Sequence, residues 1–120
     1  MKIVITSSGN TLESEVDQRF GRAAGFTVYD TQSGEFHCVD NDQNLNAAQG
    51  AGIQAAETIS RIGADCVITG HCGPKAFRTL KAAGIQVITG AQGTVGHVIE
   101  EFKAGRLKPS DFPDVEGHWA

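Results

Sequence analysis

The residues best suited to chemistry lie in one short stretch, Gly70-His71-Cys72-Gly73-Pro74-Lys75. It sets a thiol beside an imidazole, the donors that sulfide-rich metal centres accept. Pro74 suits the first turn of a helix, so the pair falls where a helix begins. A helix start offers unpaired amides and a positive field that attract anions. The same field lowers the pKa of a cysteine and favours thiolate, and Lys75 adds a cation. The bland alternative is a tight turn with Cys72 packed inward and His71 in solvent.

A catalytic reading competes with the ligand reading. His71-Cys72 followed by Arg78 matches the spacing of a cysteine phosphatase loop, whose thiolate attacks phosphorus. The details fit poorly. Pro74 starts the helix early, Arg78 then lies inside it and points sideways, and Lys75 stands where that loop needs glycine. Asp111 and Asp114 are conceivable general acids, but nothing places them near the thiol. Two-metal nuclease chemistry needs carboxylates clustered at strand ends, whereas the first strand ends in Thr6-Ser7-Ser8 and Asp65 is at the wrong end of its strand. Gly-x-x-Gly-Pro-Lys also lacks the spacing of a nucleotide P-loop. His37 and Cys38 alternate on one strand and face opposite sides. Cys66 reads as core, His97 as the polar side of a helix near the ligand end, and His118-Trp119 as a cover over a neighbour or a loose end.

The elements that must position these groups follow from period. Ile3-Val4-Ile5 is a buried strand running into a polar loop. Residues 26–30 and 35–39 form a hairpin about Gln32-Ser33-Gly34, and residues 40–50 a long polar loop. Gly52, Ala55, Ala56, Ile59 and Ile62 then share one helical face, stopped by Gly63. Cys66-Val67-Ile68 is a strand. The next helix turns Ala76, Phe77, Leu80 and Ala83 inward and stops at Gly84. Residues 85–88 are a strand, and Thr94 caps a last helix with Val95, Val98, Ile99 and Phe102 inward, ended by Gly105. The order β, ββ, α, β, α, β, α predicts an α/β fold of three layers, α/β/α. Its sheet has five strands in the order 3-2-1-4-5, one of them antiparallel. Winding reverses between strands 1 and 4, so a ligand crevice is expected beyond their carboxyl ends. The loops at residues 7–10, 70–73 and 90–93 should meet there, with amides upturned toward a single pocket.

Composition bounds the partners. A chain of 120 residues suits one domain, read as residues 1–105, with a tail at 106–120 that docks or stays mobile. A net charge of −4 argues against nucleic acid as the main partner. No apolar run approaches the ~20 residues a membrane helix needs, so no membrane partner is expected. Three cysteines, an odd number, make no disulfide framework, and a cytoplasmic protein with free thiols is expected.

Four stretches, taken in order, carry a family resemblance. They are Phe20-Gly21-Arg22-Ala23 before a strand, Asp40-Asn41 followed by Gly50-Ala51-Gly52-Ile53, Gly70-x-x-Gly73-Pro74-Lys75-Ala76-Phe77, and Ala83-Gly84-Ile85. Over roughly residues 2–104 the chain resembles the dinitrogenase iron–molybdenum cofactor biosynthesis family. The resemblance implies a ribonuclease H-like fold and the binding or carriage of a metal–sulfur cluster of the iron–sulfur, iron–molybdenum or a related type. The Cys-x-x-x-Cys-x-x-Cys signature of the radical enzyme that shares this domain is absent from the sequence, so radical chemistry is not implied. A polynuclear sulfide cluster is a bulky anion whose chemistry is its own; the protein supplies binding and orientation. On this reading Gly70, Gly73, Gln92 and Gly93 give amides and close approach, His71 and Cys72 ligate metal, and Arg22 and Lys75 supply charge. Cluster absorption should then depend on both His71 and Cys72. The expected role is a carrier or scaffold without substrate turnover, working with cluster-assembly proteins, among them a cluster-loading P-loop ATPase. The alternative is a non-catalytic regulatory or interaction module of the same fold.

Overall fold

The computed structural model describes residues 1–41 and 51–110. The polar loop expected at 42–50, Gly50 of the helix start, and Asp111, Asp114, His118 and Trp119 lie outside the described residues. The described elements are β1 (Lys2–Ser7), β2 (Gly25–Asp30), β3 (Phe36–Asp40), α1 (Ala51–Ile62), β4 (Cys66–Ile68), α2 (Pro74–Ala82), β5 (Gln86–Ile88) and α3 (Val95–Lys103).

They form one five-stranded sheet in the order β3-β2-β1-β4-β5. β1 runs parallel to β4, and β4 to β5, while β2 is antiparallel to both of its neighbours. This is the expected arrangement. β1 shows why it forms: Ile3, Val4 and Ile5 are all fully buried, as a central strand covered on both faces requires. Val4 faces a core built with α1 and α2 through Ala55, Ile59, Phe77 and Leu80. Ile3 and Ile5 face a second core built with α3 through Val95, Val98 and Ile99. The three layers follow from that alternation. Small residues let α1 and α2 touch, since a Cβ on Gly52 would lie 3.2 Å from the Ala76 side chain.

Local chemistry sets the boundaries. Gly34 closes the hairpin at φ +76°, and its N–H donates to the Asp30 carbonyl at 2.8 Å. Thr94 caps α3 by accepting from the His97 N–H at 3.1 Å. One inward assignment fails: Ala83 is exposed. The turn through Gly84, at φ +78°, brings Ile85 into the core in its place, with the Ile85 N–H on the Leu80 carbonyl.

Residues 106–110 pack against the body of the fold. Leu107 lies on the α3 core. The Ser110 N–H donates to the Val87 carbonyl at 2.7 Å, and its hydroxyl meets that of Thr89 at 2.9 Å. β5 pairs with β4 on one side only, so this strap covers the other side of an edge strand, where open backbone groups invite pairing with other chains. Among the described residues, no helix is long and apolar enough to cross a membrane.

The two cores also decide the state of the thiols. Cys66 is fully buried in β4, and burial, with Asp65 adding to it, pushes its pKa up to about 12. Cys72 is fully buried in the other core. Cys38 is half-buried, its Sγ 3.3 Å from the Asn10 carbonyl. Iodoacetamide at pH 8 is therefore expected to label Cys38 alone in the native protein, with Cys66 and Cys72 labelled after denaturation. Peptide mass mapping reads this, and native labelling of Cys72 as fast as Cys38 contradicts its burial. Ser110→Pro removes the donor to Val87, worth about 1 kcal/mol, and should lower Tm by about 4 °C. An unchanged Tm by calorimetry would show that the strap does not hold β5.

Candidate functional site

The carboxyl ends of the parallel strands are not open. The chain leaving β1 doubles back across them before entering β2, and residues 12–20 lie over the ends. Asp17 is tied on first: its N–H donates to the Thr6 carbonyl at 2.9 Å, and the Thr6 hydroxyl reaches both the Asp17 carbonyl at 2.7 Å and the Thr69 hydroxyl at 2.9 Å. Thr6 and Thr69 are fully buried, and these bonds satisfy polar groups that would otherwise be costly inside. The crossing segment then bonds to both neighbouring loops. The Val16 N–H donates to the Gly93 carbonyl at 2.9 Å, and the Gln18 amide Nε2 to the Ala91 carbonyl at 3.1 Å.

Gly70 is glycine because of this crossing. A Cβ there would run into the Gln18 side chain and come within 2.8 Å of the Gln18 Cα. Next to it, the His71 N–H donates to the Gln18 carbonyl at 2.7 Å and the His71 carbonyl accepts from the Phe20 N–H at 3.1 Å. That single parallel bridge pairs Arg19 with His71 and sets both exposed side chains on the same side.

His71 and Cys72, expected as a pair of metal ligands, are divided by the chain direction. His71 is exposed, whereas Cys72 is fully buried among Phe20, Phe26, Ala76 and Leu80. Its Sγ lies 3.8 Å from the Gly73 carbonyl. Successive residues in this turn point apart, and the apolar surroundings take the sulfur. The same burial removes the nucleophile from the phosphatase reading, and Arg78 is exposed on α2. Among the described residues, no group of three or more His, Cys, Asp or Glu side chains could hold a metal ion.

The rim of upturned amides is also mostly taken. Besides His71, the Gly90 and Ala91 N–H groups donate to the Gly70 and Thr69 carbonyls, and those of Val95 and Gly96 to Ser14 and Leu12. The loop at 7–10 turns to the crossing segment, the Ser8 N–H donating to the Glu15 carbonyl at 3.0 Å. Gln92 lines a separate cleft of about 310 Å³ with Gly90, His97, Glu101 and Leu107. Arg22, His71 and Lys75 are not among its walls. There His97 Nε2 lies 3.7 Å and Arg106 Nη1 3.2 Å from the same Glu101 oxygen. The loops at 70–73 and 90–93 do meet, through the Gly90 N–H on the Gly70 carbonyl at 2.8 Å, while Gln92 lines this cleft.

The segments joined by the bridge between Arg19 and His71 carry three basic side chains, Arg19, Arg22 and Lys75, besides His71. Arg19 and His71 stand side by side, Lys75 is exposed on the first turn of α2, and half-buried Arg22 follows three residues after Arg19. The Gly73 N-cap offers no side-chain cap to the α2 start, so backbone amides and the helix field face this region. Gly21 presses on the start of α1, where a Cβ would be 2.7 Å from the Gly52 nitrogen. The residue that sequence reasoning missed is Arg19. Its signal was its place just before Phe20-Gly21-Arg22, in a segment with no period to reveal which way its side chains face.

Known proteins share both fold and sequence with this chain. The apo form of the orange protein from Desulfovibrio gigas superposes with a TM-score of 0.93 at 39% identity, over 95% of this chain and 96% of that one. The NMR structure of a NifB candidate from Thermotoga superposes at 0.78 with 38% identity, over 90% of this chain and 91% of that one. An uncharacterised protein of Methanocaldococcus jannaschii is 28% identical over 110 residues, 90% of each chain. The sequence model of the dinitrogenase iron-molybdenum cofactor family matches residues 1–105, and the chain belongs to that family.

Proposed function

We propose that this protein binds an anionic metal–sulfur cluster as cargo, at the surface formed by Arg19, Arg22, His71 and Lys75, and carries or stores it without turning over a substrate. The observation that carries this reading is the bridge that sets Arg19 beside His71 at the start of α2. Family membership and the likeness to the orange protein support an association with such clusters. The donor set fits a cluster whose sulfides already complete its metals. Cys72 is sealed in the core, which leaves His71 as a side-chain ligand or hydrogen-bond donor. The cations and the α2 amides then hold the anion by charge. Such a hold weakens as salt screens it, in contrast to thiolate ligation. A weakly ligated cluster is easily passed on, which suits exchange with cluster-assembly proteins and a cluster-loading ATPase.

Anaerobic reconstitution with iron or molybdenum, copper and sulfide, followed by elemental analysis and absorption spectroscopy, tests this. Wild type should take up a coloured cluster. Arg22→Ala and His71→Ala should each weaken retention about tenfold, the loss of one charge-assisted contact of roughly 1.4 kcal/mol, and 1 M salt should strip the cluster. Cys72→Ser should keep its colour. A colourless wild type under every metal combination refutes the proposal, and loss of the cluster in Cys72→Ser despite a native fold refutes charge-based holding.

A further inference from the structure

Arg22 sits in a loop, yet its backbone is held on both sides. Asn41 is only 1% exposed. Its Nδ2 donates to the Gly21 carbonyl at 3.3 Å and to the Ala23 carbonyl at 2.9 Å, the two carbonyls that flank Arg22. Its backbone N–H donates to the Ala24 carbonyl at 3.1 Å. From the other side one Asp17 carboxylate oxygen accepts from the Arg19 N–H and the other from the Ala24 N–H, each at 3.2 Å. Asp17 is itself tied to Thr6 at the end of β1. Gly21 is wedged on the α1 backbone.

Burying a side-chain amide is costly unless its donors are met. At the end of β3 an apolar residue would fill the same space without that cost. Here the amide spends its donors on the backbone of residues 21–23, across eighteen and twenty residues of sequence. We infer that Asn41 is a positioning residue: it fixes the backbone on both sides of Arg22 and so presents the guanidinium to the anion in a preset place. Preset charge spares the ordering cost of binding. The role builds on the reading of Arg22 as an anion contact.

Tetrathiomolybdate, a small metal sulfide dianion, serves as the probe, titrated into wild type, Arg22→Ala, Asn41→Ala and the double variant. If Asn41 acts through Arg22, each single change weakens binding about tenfold and the double is no weaker than Arg22→Ala, as coupled sites require. Losses that multiply in the double, or wild-type binding by Asn41→Ala, overturn the inference. Leu107→Ala controls for lost stability alone and should leave affinity unchanged. Should Asn41→Ala fail to fold, Asn41→Asp keeps the shape and replaces the donor with an acceptor. A second readout needs no ligand: ¹⁵N relaxation at Arg22 Nε. Its order parameter should fall in the Asn41 variant while those of β1 amides hold, and an unchanged value overturns the inference. If the wild type ignores the probe but Arg22 still loses order, the positioning role stands and the anion reading falls.

Discussion

The carboxyl end of this fold depends on one close approach, the crossing of residues 12–20 over Gly70. No other residue type fits there, because Gln18 occupies the space a side chain would need. Once the crossing segment lies flat, its backbone pairs with His71 and Gly93 beneath it, and the Gln18 side-chain amide donates to the Ala91 carbonyl. Two buried hydroxyls, Thr6 and Thr69, anchor it to the strand ends. The crevice that a doubly wound sheet ordinarily leaves open is filled by the protein's own chain, and the proposed cluster surface lies at the border of that fill.

The fill explains how charge and sulfur are distributed. A cysteine at a helix start is activated only when the field reaches it through a polar, accessible setting. At Cys72 the chain enters α2 over the core that also holds Phe20 and Phe26, so the thiol is buried and the imidazole one residue earlier takes the outside. Cys66, between two helical layers, is held as a protonated thiol by the same apolar pressure. Soft donors are thereby removed from the surface where cations collect. The proposed holding of a finished anion by charge rests on that division.

The fold was legible because each element announces itself by period: Val4 and Ile3 alternate across β1, and Ala55, Ala56 and Ile59 return at helical spacing along α1. The hairpin glycine and the Thr94 cap were readable as single residues with one conformational purpose each. The site was less legible for a physical reason. Residues 11–24 carry no period, and their placement comes from long-range backbone bonds to residues 69–96, which leave no mark on local sequence. Arg19 gains a neighbour in His71 only through that pairing. Adjacent letters also misled: His71 and Cys72 are joined in the chain, but consecutive side chains in a turn diverge. Asn41 stood out as part of a motif, while its bonds to Gly21 and Ala23 become visible only when β3 is laid beside the loop.

A chain of net charge −4 that holds an anion, as proposed, must do so through local arrangement. Charges more than about 8 Å apart are largely screened at physiological ionic strength. On the proposed reading, a compact anion held by Arg19, Arg22 and Lys75 would feel little of the acidic remainder. The fixed backbone around Arg22 sharpens this, since a preset cation favours a ligand whose charge is already concentrated in one place. Under the proposed function, local arrangement has to outweigh the overall charge for this surface to hold a small dense anion.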